Sequence, residues 1–291
     1  MSFRREWSVT IGALRIAAPI RVKFEIERTL KATPNKATVS VYNLTRDHQA
    51  NIAQADMGTQ VLIAAGFEDE RGAETIFAGE LFRARAGKSI VFGKASGVAG
   101  TESAGGIDAI TTVQARDGGR SFAHARVSMA FDEGVSISTV LRALADSLGV
   151  GAGNIDEVAD VARALTGDDT YPQGTVISGS APREMTRVLA ALDLRWSVQH
   201  GAIQVLSRGS ALQTEAVRLA PNTGLIGSPE RGTRGHVRAV ALMTPGLWPG
   251  RRVELASRLI SGLYTCEAVK DRGDSHANDW FAECDLVPEA A

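Results

Sequence analysis

The sequence predicts a mainly β protein with an α/β insert, in which two antiparallel β-barrel-like domains flank a small α/β domain. Apolar residues recur mostly with a period of two in residues 1–122, with a helical period in 123–210, and with a period of two again in 211–291. Many short strands with regular turn signals favour an antiparallel barrel or sandwich over a parallel sheet. We therefore expect an N-terminal barrel domain (1–122), an α/β domain (123–210) and a C-terminal barrel domain (211–291).

The first 55 residues contain the clearest strand signals. Val22, Phe24 and Ile26 alternate strictly with charged residues, as in a half-buried strand. A Pro34-Asn35 turn then leads into a second alternating strand, KATVSVY, and the polar stretch TRDHQANIAQA is compatible with a helix.

Residues 61 to 119 predict further strands. The run from Val61 to Phe67 and the segments TIFAGELFRARA and KSIVFGKA indicate separate strands, with a hairpin turn expected at Gly87-Lys88. The glycine, alanine and serine tract 93–106 predicts a mobile loop, which we expect to become ordered only on assembly. ITTVQARDGG then resumes the strand pattern.

The α/β domain is predicted from a change of period. Ile137, Val140, Leu141, Leu144 and Leu148 share one helical face, with a serine cap at 136 or 138 and a glycine stop at 149. Helices are also expected over 155–165 and from about 180 to 192, with a short strand, TVISG, between them. The His200-Gly201 turn predicts a hairpin within LRWSVQHGAIQVLS.

Strand patterns return in the last third of the chain, in AVRLA, GHVRAVALM, RRVELAS, GLYTCEAVKD and DWFAECDLV. Cys266 and Cys284 lie on two of these strands. Antiparallel pairing could bring the two thiols close, although two buried reduced thiols are the preferred interpretation. The sequence leaves open whether they pair.

Charge and composition argue against nucleic-acid binding and membrane insertion. Lysine plus arginine (32) balances aspartate plus glutamate (33), and aromatics make up only 5% of the residues, so no strong basic field or stacking platform is expected. Arg251 and Arg252 could still form a local basic patch. No apolar run approaches the roughly 20 residues of a membrane span, and no signal-peptide pattern is present. We expect synthesis and folding in a cytoplasm, without stable membrane association.

Three segments resemble nucleotide-binding or nucleophile motifs, but none has the residue spacing that its motif requires. AGKS at 86–89 ends like a phosphate loop, but Phe82 occupies the place of the first glycine. GVGAGN at 149–154 lacks the third glycine of a dinucleotide fingerprint and follows a helix. Ser178-Gly179-Ser180 is not a Gly-x-Ser-x-Gly elbow, and helix capping explains Ser180 better.

The remaining polar and aromatic candidates have simpler structural interpretations. The paired acids Asp132-Glu133 and Asp168-Asp169 read as solvated turns, and Arg272-Gly273-Asp274 reads as a tight turn between strands. The five histidines lack the spacing of metal ligands; they are His48, His124, His200, His236 and His276. The four tryptophans are dispersed along the chain, which favours packing in the core or at an interface; they are Trp7, Trp196, Trp248 and Trp280. We predict no catalytic, cofactor-binding or metal-binding residues, and no enzyme activity.

Several stretches, taken in order, resemble the baseplate hub family of tailed bacteriophages, which includes the late-control tail proteins. They are PNKATVSVYNLT, VLIAAGFED and IFAGEL in the first domain, and YPQGTVISGSAPREM and LRWSVQHGAIQVL in the second. TGLIGSPE, the segment LMTPGLWPGRRVELASRLISGLYTCEAVKDRGD and the closing DWFAECDLVP follow in the third. The likeness is uninformative over 93–106 and 150–170.

The resemblance implies a homotrimeric ring in the virion tail that joins the tail tube protein to the central spike protein. Tape-measure and other baseplate proteins are further expected partners, and DNA would only pass through the lumen. Two alternatives remain open, a tail-associated cell-wall hydrolase and a carbohydrate-binding module. A tail tube or sheath-adjacent protein of the same particle is a third.

Overall fold

The computed structural model describes residues 4–68, 72–90, 107–118, 122, 124–207 and 209–289. The protein is mainly β, with four helices in the described part, as the sequence predicts. The helices are α1 (Arg46–Gln54), α2 (Ile137–Leu148), α3 (Glu157–Thr166) and α4 (Ala181–Ala190). The strands are β1 (Arg5–Ile11), β2 (Leu14–Ala17), β3 (Val22–Thr29), β4 (Lys36–Tyr42), β5 (Gln60–Phe67), β6 (Ala73–Ile90), β7 (Ile107–Arg116), β8 (Arg126–Phe131), β9 (Thr175–Ser180), β10 (Leu194–Gln199), β11 (Ala202–Ser207), β12 (Val217–Leu219), β13 (Leu225–Arg231), β14 (Val237–Leu242), β15 (Arg252–Ala256), β16 (Ser261–Asp274) and β17 (Trp280–Pro288).

Thirteen of the described strands form one hydrogen-bonded sheet that contains both the first strand and the last. Its order is β13-β14-β17-β16-β3-β4-β7-β6-β5-β1-β2, while β12 pairs with β15 and β15 with β16. Among the described strands no pairing closes this sheet on itself. The barrel form of the two halves therefore stays a prediction.

Strand β16 joins the two halves of the sheet. Its first residues pair with β15, from Ser261 to Thr265, and its last seven pair with β3, from Ala268 to Asp274. The register against β17 shifts between Cys266 and Ala268, so Glu267 is the extra residue of a bulge. The bulge lies where β16 passes from one set of partners to the other.

The α/β module, defined here as residues 122–207, lies outside this sheet. It contains three helices and two separate two-stranded ribbons, β8-β9 and β10-β11. The side chain of Ser136 caps α2 by accepting a hydrogen bond from the Thr139 amide, and Gly149 ends that helix in the left-handed conformation, both as predicted. His200 and Gly201 have φ of 52° and 78°, which a type I′ hairpin turn requires.

Among the described residues, the buried apolar side chains form three separate clusters. One belongs to the α/β module, one to the N-terminal strands, and one to the C-terminal strands. The N-terminal cluster also contains Met243 and Trp280 from the last third of the chain. Trp280 packs edge-on against Phe24, with ring centroids 5.5 Å apart, and its indole N–H donates to the carbonyl of Gly66 at 3.2 Å. The two halves of the sheet thus share core packing as well as hydrogen bonds.

Two local expectations are wrong. Gly87 and Lys88 form no hairpin turn, because β6 continues to Ile90 and pairs there with β7; the tract 93–106 lies outside the described residues. Arg272 and Gly273 belong to β16, and the turn begins only after Asp274. Pairing with β7 carries β6 through Gly87 and Lys88, and pairing with β3 and β17 carries β16 through Arg272 and Gly273.

Strand β13, within TGLIGSPE, is an element that the sequence pattern did not indicate. Ile226 and Glu230 pair with β14 on either side of an irregular segment that contains a proline and two small residues. These residues resemble a turn more than a strand, which explains the omission. No helix of the described part is both long and apolar enough to cross a membrane.

Gly273 offers a direct test of the packing between the halves. A Cβ at this position would lie 2.2 Å from Cζ of Phe24, so Gly273→Ala must displace the ring that contacts Trp280. We expect a loss of about 1–3 kcal/mol in the free energy of unfolding, measured by urea denaturation, because overpacking forces strain into a filled core.

Gly232→Ala is the matched control, since the nearest atom to its Cβ would be at an ordinary 3.6 Å. Equal effects of the two substitutions would contradict this account of the Phe24 contact.

Candidate functional site: a buried polar junction

Polar side chains from all three parts of the chain meet where β3, the β16 bulge, the β10-β11 hairpin and the loop 243–251 come together. The period-two pattern of β3 places Val22, Phe24, Ile26 and Arg28 on the same buried face. On β16 the same alternation turns Val269 and Asp271 inward. Two opposite charges therefore occupy positions that the strand pattern assigns to the core.

Arg28 and Asp271 form a buried ion pair. Nη2 of Arg28 donates to Oδ2 of Asp271 at 2.6 Å and to the carbonyl of Leu247 at 3.0 Å, and the side chains are only 2% and 1% exposed. Burial raises the pKa of Asp271, and the adjacent guanidinium opposes that rise. Nε and Nη1 of Arg28 and Oδ1 of Asp271 have no hydrogen-bond partner in the structure. Such a pair costs more to break than it contributes when intact.

Asn35 connects the N-terminal sheet to the α/β module. Its backbone N–H donates to Oδ1 of Asp117 at 2.6 Å, and its side-chain amide donates to Asp117 Oδ2, to the Val198 carbonyl and to Gln199 Oε1. Its Oδ1 accepts from the amide of Thr29 at 2.8 Å. The turn that the sequence predicts at Pro34-Asn35 thus also supplies the side chain that binds the module.

Asp117 and His200 have displaced pKa values in this junction. Burial raises the pKa of Asp117 to about 7, although both hydrogen bonds from Asn35 and the charge of Arg28 act in the opposite direction. Burial, with a contribution from Arg28, lowers the pKa of His200 to about 4. Near neutral pH, His200 is therefore uncharged.

The loop 243–251 fills the space between the three clusters. Leu247 is fully buried in the C-terminal cluster, and Trp248 lies edge-on to His200 with ring centroids 4.5 Å apart. The carbonyls of Pro249 and Gly250 accept from Gln204 and from the amide of Leu212, respectively. Beside the loop, Arg195 binds both carboxylate oxygens of Glu267, at 3.0 and 2.8 Å.

This arrangement suits structural stabilisation. Burial raises the pKa of Cys284 to about 12 and that of Cys266 well above its ordinary value, so neither thiol is activated. Both cysteines are free and buried, as the sequence favours. Within the described residues, no cluster of histidine, cysteine and carboxylate side chains could hold a metal ion.

The other candidate residues from the sequence lie at separate places in the structure and form no common site within the described part. Ser180 stands at the N-cap of α4, but its side chain makes no capping hydrogen bond, so the predicted role as a hydrogen-bonding cap is wrong. Asp168 binds the Thr170 amide and hydroxyl, and Asp169 pairs with Arg163. Asp274 accepts from the amides of His276 and Ala277, as expected of an aspartate that begins a turn.

Arg251 and Arg252 contact different partners, and three of the four tryptophans pack in the core, which is the packing that the sequence favours. Arg251 stacks near Trp248, 5.8 Å from the ring centroid, and Arg252 pairs with Glu289. Of the four tryptophans, Trp7, Trp196 and Trp280 are buried.

The outward face of the sheet is polar and its charges pair internally. Lys270 lies 2.8 Å from Glu25 and 2.9 Å from Glu27, and Arg272 lies 3.1 Å from Glu283. Lys270 lowers the pKa of Glu25. A cleft of about 570 Å³ opens on this face beside the β13-β14 connection.

Three residues of the junction, Arg28, Asp271 and Glu267, were not indicated by the sequence pattern, and Asn35 was predicted only as part of a turn. A charged residue at a core position of an otherwise alternating strand is the signal that could have indicated the first two. Glu267 could not be found in this way, because its role depends on a bulge set by long-range pairing.

The fold is similar to that of two solved phage tail proteins. The 43 kDa tail protein of prophage MuSo2 from Shewanella oneidensis superposes with a TM-score of 0.64 at 10% identity, over 98% of both chains. The tail protein from Neisseria meningitidis MC58 gives 0.62 at 10% identity, over 97% of this chain and 96% of that one.

A component of a type VI secretion system has a similar fold. The E. coli c3393 protein, a component of the type VI secretion system with structural similarity to the T4 tail proteins gp27 and gp5, gives a TM-score of 0.56 at 8% identity. The superposition covers 97% of this chain and 77% of that one. No protein-family model matches the chain, and no curated protein matches it significantly. The likeness therefore rests on fold, over nearly the whole chain.

Breaking the buried ion pair should be costly. We expect Asp271→Asn to lower the free energy of unfolding by about 3–5 kcal/mol, because it leaves the Arg28 charge buried without its partner. The double variant Arg28→Met/Asp271→Leu should recover most of that loss, as measured by urea denaturation.

Asp285→Asn is the control, since it removes the ion pair with Arg238, whose two side chains are 62% and 47% exposed. This change should cost less than about 1 kcal/mol. A loss for Asp271→Asn as small as that of the control would refute the buried-pair account.

Asp117 and His200 should make opposite contributions to the pH dependence of stability. The folded state keeps a proton on Asp117 up to about pH 7, which the unfolded chain loses near its ordinary pKa of 3.8, so this group destabilises the fold as pH rises between those values. The unfolded chain protonates His200 near 6.5 and the folded state only near 4, so this group destabilises the fold as pH falls between those values.

The two effects overlap between about pH 4 and 6.5 and there oppose each other. Relative to the unsubstituted protein, Asp117→Asn should make stability rise more steeply with pH, by up to about 1.4 kcal/mol per pH unit. His200→Asn, which tolerates the left-handed turn conformation, should shift the slope in the opposite direction. Urea unfolding at a series of pH values measures all three curves; parallel curves would be inconsistent with both assignments.

Proposed function

We propose that this chain is a non-enzymatic structural protein of a phage tail or a tail-like injection machine, and specifically a baseplate hub subunit. The observation that carries the proposal is the superposition of nearly the whole chain on two tail proteins, each at least 96% covered. The proposed assembly is a homotrimeric ring that joins the tail tube protein to the central spike protein, with tape-measure and other baseplate proteins as further partners.

The proposed domains are the N-terminal barrel (1–122), the α/β domain (123–210) and the C-terminal barrel (211–291). Three separate apolar clusters support this division. Two barrels per subunit would give a trimer six similar units around its axis, which suits contact with a six-fold tube.

The pairing of charges on the outward sheet face supports a further part of the proposal. Across three neighbouring strands, the two cations Lys270 and Arg272 pair with the three carboxylates of Glu25, Glu27 and Glu283. A surface of this kind carries no excess positive charge for phosphates, so it suits a lumen through which DNA passes without binding. We place the protein in the virion tail after assembly in the host cytoplasm.

The mass of the purified protein in solution, measured by light scattering with negative-stain imaging, tests the ring. We expect three chain masses and a ring with a central opening, either for the chain alone or after addition of its tube and spike proteins. A monomer under all of these conditions would contradict the hub assignment.

The location in the particle needs a separate test. A tagged copy of the chain should be found by gold labelling at one end of purified tails. Absence of the label from intact tails, with the tagged protein folded in the lysate, would exclude a role in the tail itself.

A further inference from the structure

The outward face of the sheet has a different character at β6. The charges on β16 and β3 pair with each other, whereas Arg83 and Arg85 are exposed and have no ion-pair partner among the described residues. Arg116 on β7 also has none there, and its guanidinium covers the ring of Phe82, 3.7 Å from the ring centroid. These arginines outnumber the carboxylate of Glu80, which lies opposite Arg116 across the β6-β7 pairing, so positive charge predominates.

A bulge in β6 sets the direction of these side chains. The register against β7 shifts between Leu81 and Arg83, so Phe82 is the extra residue. Leu81 and Ala84 both pack in the N-terminal core, on the inward side of the strand. Because side chains alternate along a strand, Arg83 and Arg85 on either side of Ala84 face outward together.

The same part of β6 is an edge of the sheet. Strand β5 pairs with β6 only from Ala73 to Glu80, and from Phe82 to Ile90 the described strand that pairs with β6 is β7. Helix α1 reaches β6 from the inward side, where Ile52 belongs to the N-terminal core. On the side away from β7, the backbone N–H and C=O groups of every second residue therefore have no hydrogen-bond partner within the described part of the chain.

The edge and the charge together specify the kind of partner. Alternating backbone donors and acceptors are complementary to an extended polypeptide, which binds by adding a strand. The phosphates of a nucleic acid offer acceptors only, and Arg116 covers the ring of Phe82 that a base would need for stacking. A second copy of this edge would bring arginines against arginines. Carboxylates at alternate positions of an added strand would instead lie beside Arg83 and Arg85.

We propose that the β6 edge, residues Phe82 to Ile90, is a docking site for an extended acidic segment of a partner protein. The segment adds to the sheet as a strand and places its carboxylates beside Arg83 and Arg85. The inference does not depend on the proposed tail function, because it uses only the edge and the charges of this chain.

Binding of a short, capped, fluorescent peptide of alternating glutamate and threonine to the full chain tests the site. Fluorescence anisotropy at low salt measures the affinity. Arg83→Glu/Arg85→Glu should weaken binding by about ten-fold or more, because like charges then face each other across the added strand. Both side chains are exposed, so the variant should fold, and urea denaturation checks that it does.

The matched control is Arg231→Glu/Arg258→Glu, which makes the same change of charge on the C-terminal strands. Both arginines are exposed and have no ion-pair partner among the described residues. This variant should change the affinity by less than about two-fold, since salt screens exposed charges that are far apart.

Two N-methylated peptides separate strand addition from simple charge attraction. One carries methyl groups on the backbone nitrogens of the glutamates and the other on those of the threonines, and both keep the full negative charge. Pairing with one neighbouring strand uses every second residue, so one of the two should bind about ten-fold more weakly or worse while the other retains affinity.

Three results would overturn the proposal. No binding of the unmodified peptide would mean that the edge accepts no acidic strand. Equal binding of both methylated peptides would mean that charge alone attracts the peptide. An oligonucleotide of equal charge that binds as tightly would mean that the arginines form a general polyanion surface.

Discussion

The architecture depends on one strand, β16, which pairs with β15 over its first residues and with β3 over its last seven. A strand can serve two sets of partners only if it bends between them, and the bulge at Glu267 supplies that change of direction. The consequences reach all three parts of the chain. The carbonyl of Glu267 accepts the amide of Leu30 as β3 ends, and its carboxylate binds Arg195 of the module.

The contact between the buried charges of Arg28 and Asp271 also depends on the pairing of β16 with β3. Beyond the bulge, β16 lies against β3 with seven consecutive pairs, and a slip of one residue would turn every inward side chain outward. Arg28 and Asp271 are diagonal neighbours across this pairing and complete their contact in the present register. A buried ion pair contributes little net stability, but an alternative register would leave two charges buried apart, so the pair favours one alignment. Its unpartnered atoms are consistent with a role in specificity more than in stability.

The sequence predicted those features of the fold that are determined by residues close together in the chain. The period-two runs of β3 and β4, the Ser136 cap, the Gly149 stop and the His200-Gly201 turn each have a local physical cause, and the structure contains them. What the sequence could not show depends on distant partners: β6 passes through Gly87 because β7 pairs with it, and Glu267 acquires its role from the change of partners along β16. Arg28 and Asp271 are an intermediate case. The alternation of buried and exposed residues along β3 and β16 predicts that both side chains face the core, but it does not predict that they contact each other.

Two kinds of contact join the three parts of this chain. Between the halves of the sheet, backbone pairing is reinforced by the Phe24–Trp280 packing, so the two halves share one filled core. Between the sheet and the α/β module, side-chain hydrogen bonds predominate, and Asn35 and Gln199 make them while only 3% and 7% exposed. A buried donor or acceptor that loses its partner is costly, so these hydrogen bonds favour one orientation of the module on the sheet. The apolar joint therefore contributes stability, whereas the polar joint contributes orientation.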